Sequence, residues 1–483
     1  MNGANIRASP HFRDSLPVFM RASRLGRATM TAFSGASGVG DHDADMRFIA
    51  VLASGCLIVS ACSGDDSGGR PGPDLSSGSG PGVSIPQPQV PSGVSVAPDS
   101  ERVDLTVPRF SHPTVVDNPL FPVSRQEAVV FVGHVDGKPF RTEVTLLPGT
   151  RIIDWGGQRI ETLVSQYTAY LGGRIQEVAY DLYAQADDGS VWYFGEDVAD
   201  LERGAIATKE GTWLAGKDGP AQMIMPGDPR VGDVYRTENI PGIAFEQVTV
   251  KSRGQRLKGP LGPVSGMVGE ELHEDGTSER KQFAAGYGEF FTGDQGDVEA
   301  LALAVPTDAS EKPMPPGLSR LYVDAANIVR SGPTAGAVGR MAADWSGVPR
   351  RDTPRLMIPV VTRAIAAVRG AREPSVARQA AVDLVLRALD LQLRYRDPVA
   401  VDRDRVSVWC DQLLLDARRH NAADVASDIF TLYYLRDRVQ ESLSATTLSA
   451  YNHQIGVLQE AALEHDLPRA RRAAVRLRTA LHG

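Results

Sequence analysis

The spacing of apolar residues changes once along this chain, and that change constrains the fold more than any other feature. In the middle of the chain, short runs such as EAVVFVGH (127–134) and FRTEVTLL (140–147) alternate apolar and polar residues. A period of two is typical of β-strands that bury one face of a sheet. In the last third, apolar residues recur at steps of three and four, which is typical of amphipathic helices. The sequence therefore predicts a multidomain α+β protein, with an antiparallel β domain over 118–305 and an all-α helical bundle over 318–483.

Turn residues divide the middle region into short strands. Asp136-Gly137 and Asp187-Asp188-Gly189 each separate two alternating runs, and Asp-Gly at such a position favours a tight hairpin. The predicted strands cover 127–134, 140–147, 159–171, 174–186, 190–197, 203–208, 221–225, 232–238, 245–251, 264–273 and 279–290. Because no helical spacing interrupts them, we expect an antiparallel arrangement, either a curled sheet resembling a half-barrel or a sandwich.

The last third begins after a Pro-rich segment, PTDASEKPMPPG (306–317), which is predicted to be a linker. Apolar stripes with helical spacing then run through 381–395, 406–417, 425–443, 448–462 and 470–481. The connections between the stripes are short, so neighbouring helices should be antiparallel. We expect five to seven helices.

The densest group of aromatic residues in the β domain consists of Tyr183, Trp192, Tyr193, Phe194 and Trp213. Side chains of adjacent strand residues point to opposite faces, so one face of this cluster should belong to the core. The other face is a candidate ligand surface, or the whole cluster packs as cross-strand pairs.

Four segments of the β domain resemble an uncharacterised family of secreted bacterial proteins. They are NPLFP (118–122), YAQADDGSVWYFGED (183–197), GTWLAGKDGPAQMIMPGDPRVGDVYRTE (211–238) and FAAGYGEF (283–290). The family has no assigned activity, so the resemblance implies none. Two positions depart from its pattern: Leu120 replaces an aromatic residue, and IAFEQ after Gly242 replaces an Ala-Glu-Asp cluster.

Near its start the chain is predicted to carry an export signal. Arg47 precedes 14 uncharged residues, Phe48 to Ala61, whose end reads Val59-Ser60-Ala61 and is followed by Cys62. The uncharged run is too short to span a bilayer, which needs about 20 residues, but it suits the apolar core of a signal peptide. The final residues resemble the lipobox of bacterial lipoproteins. This resemblance implies cleavage between Ala61 and Cys62 and acylation of Cys62 with fatty acids such as palmitate, while Cys56 is a weaker candidate.

The segments on either side of the signal fit a tethered protein. Residues 46–61 are the predicted signal peptide, and 1–45 are an over-extended or disordered N-terminus. Of the 38 residues in 63–100, 24 are Gly, Ser or Pro, so 62–117 is predicted to be a lipidated cysteine on a disordered leash. An aspartate directly after the lipidated cysteine resembles a signal for retention in the inner membrane, but this chain has Ser63 at that position. We therefore expect the protein in the outer membrane, facing the periplasm or the surface, if the cell has one. Otherwise we expect it on the outer face of the cell membrane.

No cofactor site is evident in the sequence. The acidic turns lack the spacing of a calcium loop, and the histidines of the bundle lack a metal or haem pattern. His420 and His465 fall near predicted helix ends, His453 lies among apolar positions, and Cys410 is expected to be a buried apolar residue. We therefore predict no metal ligands and no cofactor.

The net charge of −8 is unevenly distributed. Residues 62–316 are strongly acidic, whereas the bundle has 24 Arg, no Lys and 18 acidic residues. Its last helix carries Arg469, Arg471, Arg472, Arg476 and Arg478, which form a solvated face or contact lipid headgroups or envelope glycans. No recognition motif for nucleic acid accompanies these arginines.

Together these features predict a lipid-anchored protein of the cell envelope. The β domain would bind a ligand or an envelope protein, and the bundle would be a scaffold. No G-x-S-x-G, H-E-x-x-H or P-loop pattern is present in the mature chain, so a binding role is favoured over an enzyme. Two alternatives stay open: a hydrolase whose site assembles only in the fold, and a metal- or haem-binding bundle.

Overall fold

The computed structural model describes residues 94–293 and 296–481. In this part of the chain an open antiparallel sheet of 14 strands precedes eight α-helices, which confirms the predicted α+β class. The strands are β1 Ala128–Val135, β2 Lys138–Trp155, β3 Gln158–Leu171, β4 Arg174–Gln185, β5 Val191–Glu202, β6 Ala205–Thr208, β7 Trp213–Leu214, β8 Gln222–Met225, β9 Val234–Ile240, β10 Ala244–Lys258, β11 Pro263–His273, β12 Ser278–Ala284, β13 Gly288–Gly293 and β14 Val298–Val305. The helices are α1 Pro316–Ser331, α2 Ala335–Ser346, α3 Met357–Gly370, α4 Pro374–Gln392, α5 Pro398–Arg418, α6 Ala422–Val439, α7 Ala445–Leu463 and α8 Leu467–Ala480.

The strands follow one another as hairpins. Their order is β6-β5-β4-β3-β2-β1-β14-β13-β12-β11-β10-β9, with β7 and β8 paired to β5. Asp136 and Gly137 both have positive φ (50° and 68°), which is the conformation of the type I′ turn expected from Asp-Gly. The second predicted hairpin closes through Gly189, whose φ is 84°. The first and last strands pair with each other, so the chain enters and leaves at the middle of the sheet.

The sheet curls so that its two ends approach each other. The indole Nε1 of Trp213, on β7, donates a hydrogen bond of 2.8 Å to Glu238 on β9. Strand β9 is one end of the strand order, and β7 pairs with β5 next to the other end. The curl gives the sheet a concave inner face and a convex outer face, which is the curled-sheet form of the prediction.

The helices cover part of the outer face. Outward side chains such as Val130, Val178 and Leu303 share one apolar core with the bundle. The rings of Tyr170, on β3, and Trp409, on α5, stack with their centroids 5.6 Å apart. Sheet and bundle are therefore joined by continuous packing in this structure.

A buried ionic network reinforces this contact. Asp390 of α4 accepts hydrogen bonds from Arg141 of β2 (3.0 Å) and Arg405 of α5 (2.7 Å). Arg438 of α6 pairs with Glu143 of β2, and all five side chains are at most 5% exposed. Since removing one partner of such a network leaves an uncompensated buried charge, the network holds the bundle in one position on the sheet.

Several elements differ from the sequence prediction. The predicted strand 279–290 is two strands, because a turn at 285–287 separates β12 from β13. Strands β7 and β14 and helices α1–α3 were not predicted, and the eight described helices exceed the predicted five to seven by one. The predicted linker 306–317 is hydrogen-bonded to the β domain through Asp308. Its carboxylate accepts hydrogen bonds from Tyr287 Oη (2.8 Å) and the Ala304 amide (3.0 Å).

The end of the predicted leash lies on the sheet. The Val103 amide donates to the Val234 carbonyl (2.9 Å), and Val116 is fully buried in the inner core. The Ser111 amide and hydroxyl both donate to Asp187. The packed part of the chain therefore begins before residue 118, where the β domain was predicted to start. The predicted cleavage and lipidation residues, Ala61 and Cys62, lie outside the described residues.

Candidate ligand-binding site

The inner face of the curled sheet carries many acidic side chains. They are Glu177, Asp181, Glu196, Glu238, Glu246, Glu271, Glu289 and Glu299. All except Glu289 are at least 95% buried. Lys281 and His273 lie among them. A buried carboxylate is costly unless a cation or hydrogen bonds compensate it, so this face is suited to hold positive charge.

A cavity of about 60 Å³ lies against this face. Since a single buried water needs roughly 10–15 Å³ of such volume, the cavity has room for several waters or a small organic group. Its apolar lining consists of Phe121, Val123, Val129, Phe131, Val144, Ile224 and Phe283. Its polar lining consists of Gln126, Ser165, Tyr167, Asp181, Tyr183, Thr237, Glu271, Lys281, Glu289 and Glu299. The cavity thus combines an apolar wall with four carboxylates and one ammonium group.

Burial controls the charge of the cavity wall. Desolvation raises the pKa of Asp181 to about 7 and, with the negative charge of Glu246, that of Glu271 to about 8. Desolvation also raises the pKa of Glu299 well above its usual value. Lys281 Nζ lies 2.7 Å from Glu271 and 3.8 Å from Glu289. Near neutral pH, the wall can therefore take up either protons or a further cation.

A second acidic pair lies where the ends of the sheet meet. Glu196 of β5 and Glu238 of β9 are both buried, and burial together with neighbouring carboxylates raises the pKa of each well above its usual value. Glu238 Oε1 accepts the Trp213 indole hydrogen, whereas Glu238 Oε2 has no partner among the described residues. This pair is therefore stable only when it carries a proton or a cation.

A third group combines carboxylates with an imidazole. Glu246, Glu271 and His273 each offer one ligand atom, and these atoms lie within 4.8 Å of one another. Burial alone would lower the pKa of His273, but Glu246 and Glu279 beside the ring raise it to about 11. For Glu246, the nearby His273 and Lys281 outweigh burial, so its pKa is lowered. Carboxylate oxygen and imidazole nitrogen are both common metal ligands.

The five aromatic candidates lie in the core of the sheet. Tyr183, Trp192, Tyr193, Phe194 and Trp213 are all buried in one apolar cluster. The rings of Tyr183 and Tyr193 stack at 5.0 Å, as cross-strand partners on β4 and β5. Only Tyr183 of the five lines the cavity. Tyr193 Oη donates a hydrogen bond (2.9 Å) to Asp181, which lines the cavity.

The bundle residues singled out in the sequence do not converge on a site. His420 and His465 follow the ends of α5 and α7 with positive φ (58° and 53°), and His453 is exposed. Cys410 is fully buried, and desolvation raises the pKa of its thiol to about 12.

The arginines of the last helix are partly engaged in ion pairs. Arg469 pairs with Glu460 and Glu464, and Arg478 pairs with Asp411. Arg471, Arg472 and Arg476 are exposed. None of the helices within 94–293 and 296–481 has the length and apolar character to cross a bilayer.

Sequence reasoning missed the charged residues of the inner face, although a signal for them exists. Glu246 precedes Val248 and Val250 at steps of two, so it shares their buried face. Glu271 likewise shares a face with Met267. A charged residue in the register of core positions indicates an inward-facing charge. The pairing of these strands across the sheet could not be read from spacing alone.

Comparison with known proteins adds no assignment. No protein-family model matches this chain, and no curated protein is significantly similar to it. The function is therefore argued from the geometry of the site.

Proposed function

We propose that this protein is a lipid-anchored envelope protein that binds a small organic cation inside its curled sheet. The observation that carries the proposal is the cavity, whose lining combines four carboxylates with phenylalanine, valine and isoleucine side chains. Ligand sites typically combine an apolar lining with a few convergent polar groups. An alkylammonium ion matches this lining, because its ammonium group can pair with a carboxylate and its short alkyl chain can pack against the apolar side chains.

Charge favours a cation over a neutral or anionic ligand. Four acidic side chains line the cavity, and Lys281 is the basic residue in that lining. Burial holds the pKa of Asp181 near 7 and that of Glu271 near 8. An entering ammonium group would replace the proton on such a carboxyl and would form a charge-assisted hydrogen bond in a low-dielectric site.

A binding role suits the histidine inside the sheet better than hydrolysis does. His273 Nδ1 lies 3.6 Å from Glu246, and His273 Nε2 lies 3.6 Å from Glu279. A hydroxyl or thiol nucleophile that this histidine activates would have to lie within hydrogen-bond reach of one of its ring nitrogens. Here both ring nitrogens face carboxylates.

The bundle is proposed to be a rigid support for the sheet. Its buried arginine–carboxylate network contacts β2, and Arg438 also donates to Gln166 and Thr168 on the outer face of β3. Strand β3 carries cavity residues Ser165 and Tyr167 on its other face. Contact with the bundle therefore fixes the strand that forms part of the cavity wall.

The anchor is proposed from the lipobox-like sequence that ends at Cys62. Metabolic labelling with an alkyne fatty acid should tag the wild-type protein and not Cys62→Ser. Cys56→Ser is the matched control and should keep its label. Label retained on Cys62→Ser would refute anchoring at that residue.

Cavity binding is tested with ligands that differ mainly in charge. Calorimetric titration should show binding of n-propylammonium but not of n-propanol or propionate. The double variant Asp181→Asn/Glu299→Gln should weaken n-propylammonium binding at least tenfold, because it removes two cavity carboxylates. Glu270→Gln alters an exposed carboxylate of the same sheet and should leave binding unchanged. Equal binding of the amine and the alcohol would overturn the charge argument.

A further inference from the structure

We infer that Glu246, Glu271 and His273 form a binding site for a divalent transition-metal ion of the zinc type. The strands explain why these residues meet. Glu246 of β10 is the direct cross-strand partner of His273 of β11. Glu271 lies two residues before His273, so both side chains project from the same face of the strand. One ligand atom from each residue falls within a span of 4.8 Å.

A fourth residue orients the two carboxylates. Thr237 lies at a bulge between β9 and β10. Its hydroxyl is 3.2 Å from Glu246 Oε2 and 3.3 Å from Glu271 Oε1. Groups outside the ligand set commonly fix metal-binding carboxylates in this way. The hydroxyl has a single hydrogen, so it donates to one of these two oxygens at a time, and Glu246 Oε1 stays available to face an ion.

An unsatisfied buried atom points independently to a ligand. Glu246 Oε1 has no hydrogen-bond partner among the described residues, although the side chain is only 2% exposed. Its nearest cationic atom, His273 Nδ1, is 3.6 Å away, which is longer than an ordinary hydrogen bond. A buried carboxylate oxygen without a partner is costly. Imidazole binds metal only in its neutral form, so an entering metal ion would displace the Nδ1 proton to solvent. The ion would then satisfy both this oxygen and Nδ1.

The remaining nitrogen of the imidazole is also positioned for this role. His273 Nε2 lies 3.6 Å from Glu279 Oε1. In metal sites the second nitrogen of a ligating histidine usually faces a carboxylate or carbonyl, which fixes the ring and its tautomer. The His273 side chain is 21% exposed, so an ion can reach the site from solvent at the end of β11.

The donor set selects the class of metal. Imidazole nitrogen and carboxylate oxygen are both zinc ligands, whereas calcium prefers six to eight oxygen ligands. Lys281 Nζ is 2.7 Å from Glu271 Oε2 and would move toward Glu289 as the ion enters. Three protein ligands leave a further coordination position, and Glu271 also lines the cavity. This site goes beyond the proposed binding of an organic cation and does not depend on it.

The test uses the untagged chain with Cys56→Ser and Cys62→Ser, so that those thiols do not compete for metal. After chelator treatment and dialysis, the protein is titrated calorimetrically with Zn²⁺ and, separately, with Ca²⁺. Co²⁺ is followed by visible absorption. We expect one equivalent of Zn²⁺, a Co²⁺ spectrum of nitrogen and oxygen ligands, and no saturable Ca²⁺ binding. Binding of Ca²⁺ alone, or no saturable binding of Zn²⁺ and Co²⁺, would overturn the inference.

Variants locate the ion. Glu246→Gln and His273→Gln should each weaken Zn²⁺ binding at least tenfold. Glu270→Gln, next in sequence to Glu271 but half exposed, should bind like the parent chain. Unchanged Zn²⁺ affinity in both ligand variants would also overturn the inference. If a ligand variant fails to fold by circular dichroism, the Co²⁺ spectrum of the parent chain decides, because a thiolate charge-transfer band or the absence of d–d bands contradicts this site.

The organic-cation proposal is judged separately. His273→Gln should bind n-propylammonium normally, because His273 does not line the cavity. Asp181→Asn/Glu299→Gln should keep Zn²⁺ binding. Each proposal can therefore fail while the other stands.

Discussion

Replacement of Lys281 by methionine should destabilise the protein strongly and in a pH-dependent way. The Lys281 ammonium is 5% exposed and 2.7 Å from Glu271, which is fully buried. Removing one partner of a buried ion pair typically costs about 3–5 kcal/mol. We expect a loss of that size at pH 8. At pH 5 the loss should be at most about half as large, because the carboxyls that lose their cation can take up protons instead.

The chain supplies a matched control. Lys251 pairs with Glu270 in the same sheet, but both side chains are about half exposed. Exposed pairs contribute about 0–1 kcal/mol, so Lys251→Met should stay within that range at both pH values. The two lysines therefore differ mainly in burial.

The measurement is urea-induced unfolding, followed by far-ultraviolet circular dichroism at pH 5 and pH 8 for the wild type and both variants. The free energies of unfolding are compared at each pH. The reasoning is refuted if Lys281→Met loses less than about 1 kcal/mol at pH 8. Equal losses at pH 5 and pH 8 would refute the part that concerns proton uptake.

Three further outcomes are expected. The pKa of Asp181 is raised from 3.8 to about 7 by burial, so its contribution to stability is present below pH 4 and is lost as the pH rises through 7. As the pH rises from 4 to 8, Asp181→Asn should therefore become more stable relative to wild type, by up to about 4 kcal/mol in urea unfolding. A difference in unfolding free energy between variant and wild type that stays the same from pH 4 to pH 8 would contradict this. Asp390→Asn removes a fully buried charge shared by two guanidinium groups and should lower the free energy of unfolding by about 3–5 kcal/mol. Asp154 is exposed, so Asp154→Asn should lower it by less than about 1 kcal/mol. Similar losses in the two variants would refute a special role for the network. Cys410 is buried and its thiol pKa is about 12, so peptide mass spectrometry should find it unmodified by maleimide until urea unfolds the chain, and rapid native labelling would contradict its placement.

Local patterns predicted the class of the fold and many of its elements. Alternation and Asp-Gly turns locate β1 to β5, because hairpin strands with one buried face repeat every two residues. The merged strand at 279–290 was a failure of the same reasoning, since Gly286 with a φ of 82° makes a turn within a continuous β-like run. The predicted apolar stripes begin at residue 381, and helices α1 to α3 lie before that residue.

The candidate site depends on contacts between distant parts of the chain. Glu196 and Glu238 meet only because the sheet curls until its ends approach, and the spacing within a strand carries no information about that closure. The aromatic cluster was evident from sequence, but its burial depends on the strands and the 94–117 segment that cover it. Inward-facing acids such as Glu246 were readable from register, yet only the fold shows that their neighbours are mostly acids as well.

The most direct test of the account is a crystal structure of the protein soaked with n-propylammonium. We expect the ammonium nitrogen within hydrogen-bond distance of the Asp181 or Glu299 carboxyl, and the propyl chain against Phe131 and Phe283. An amine found only outside the curled sheet, or a cavity that keeps only water at saturating amine, would contradict the claim that this acidic interior is built to hold a cation.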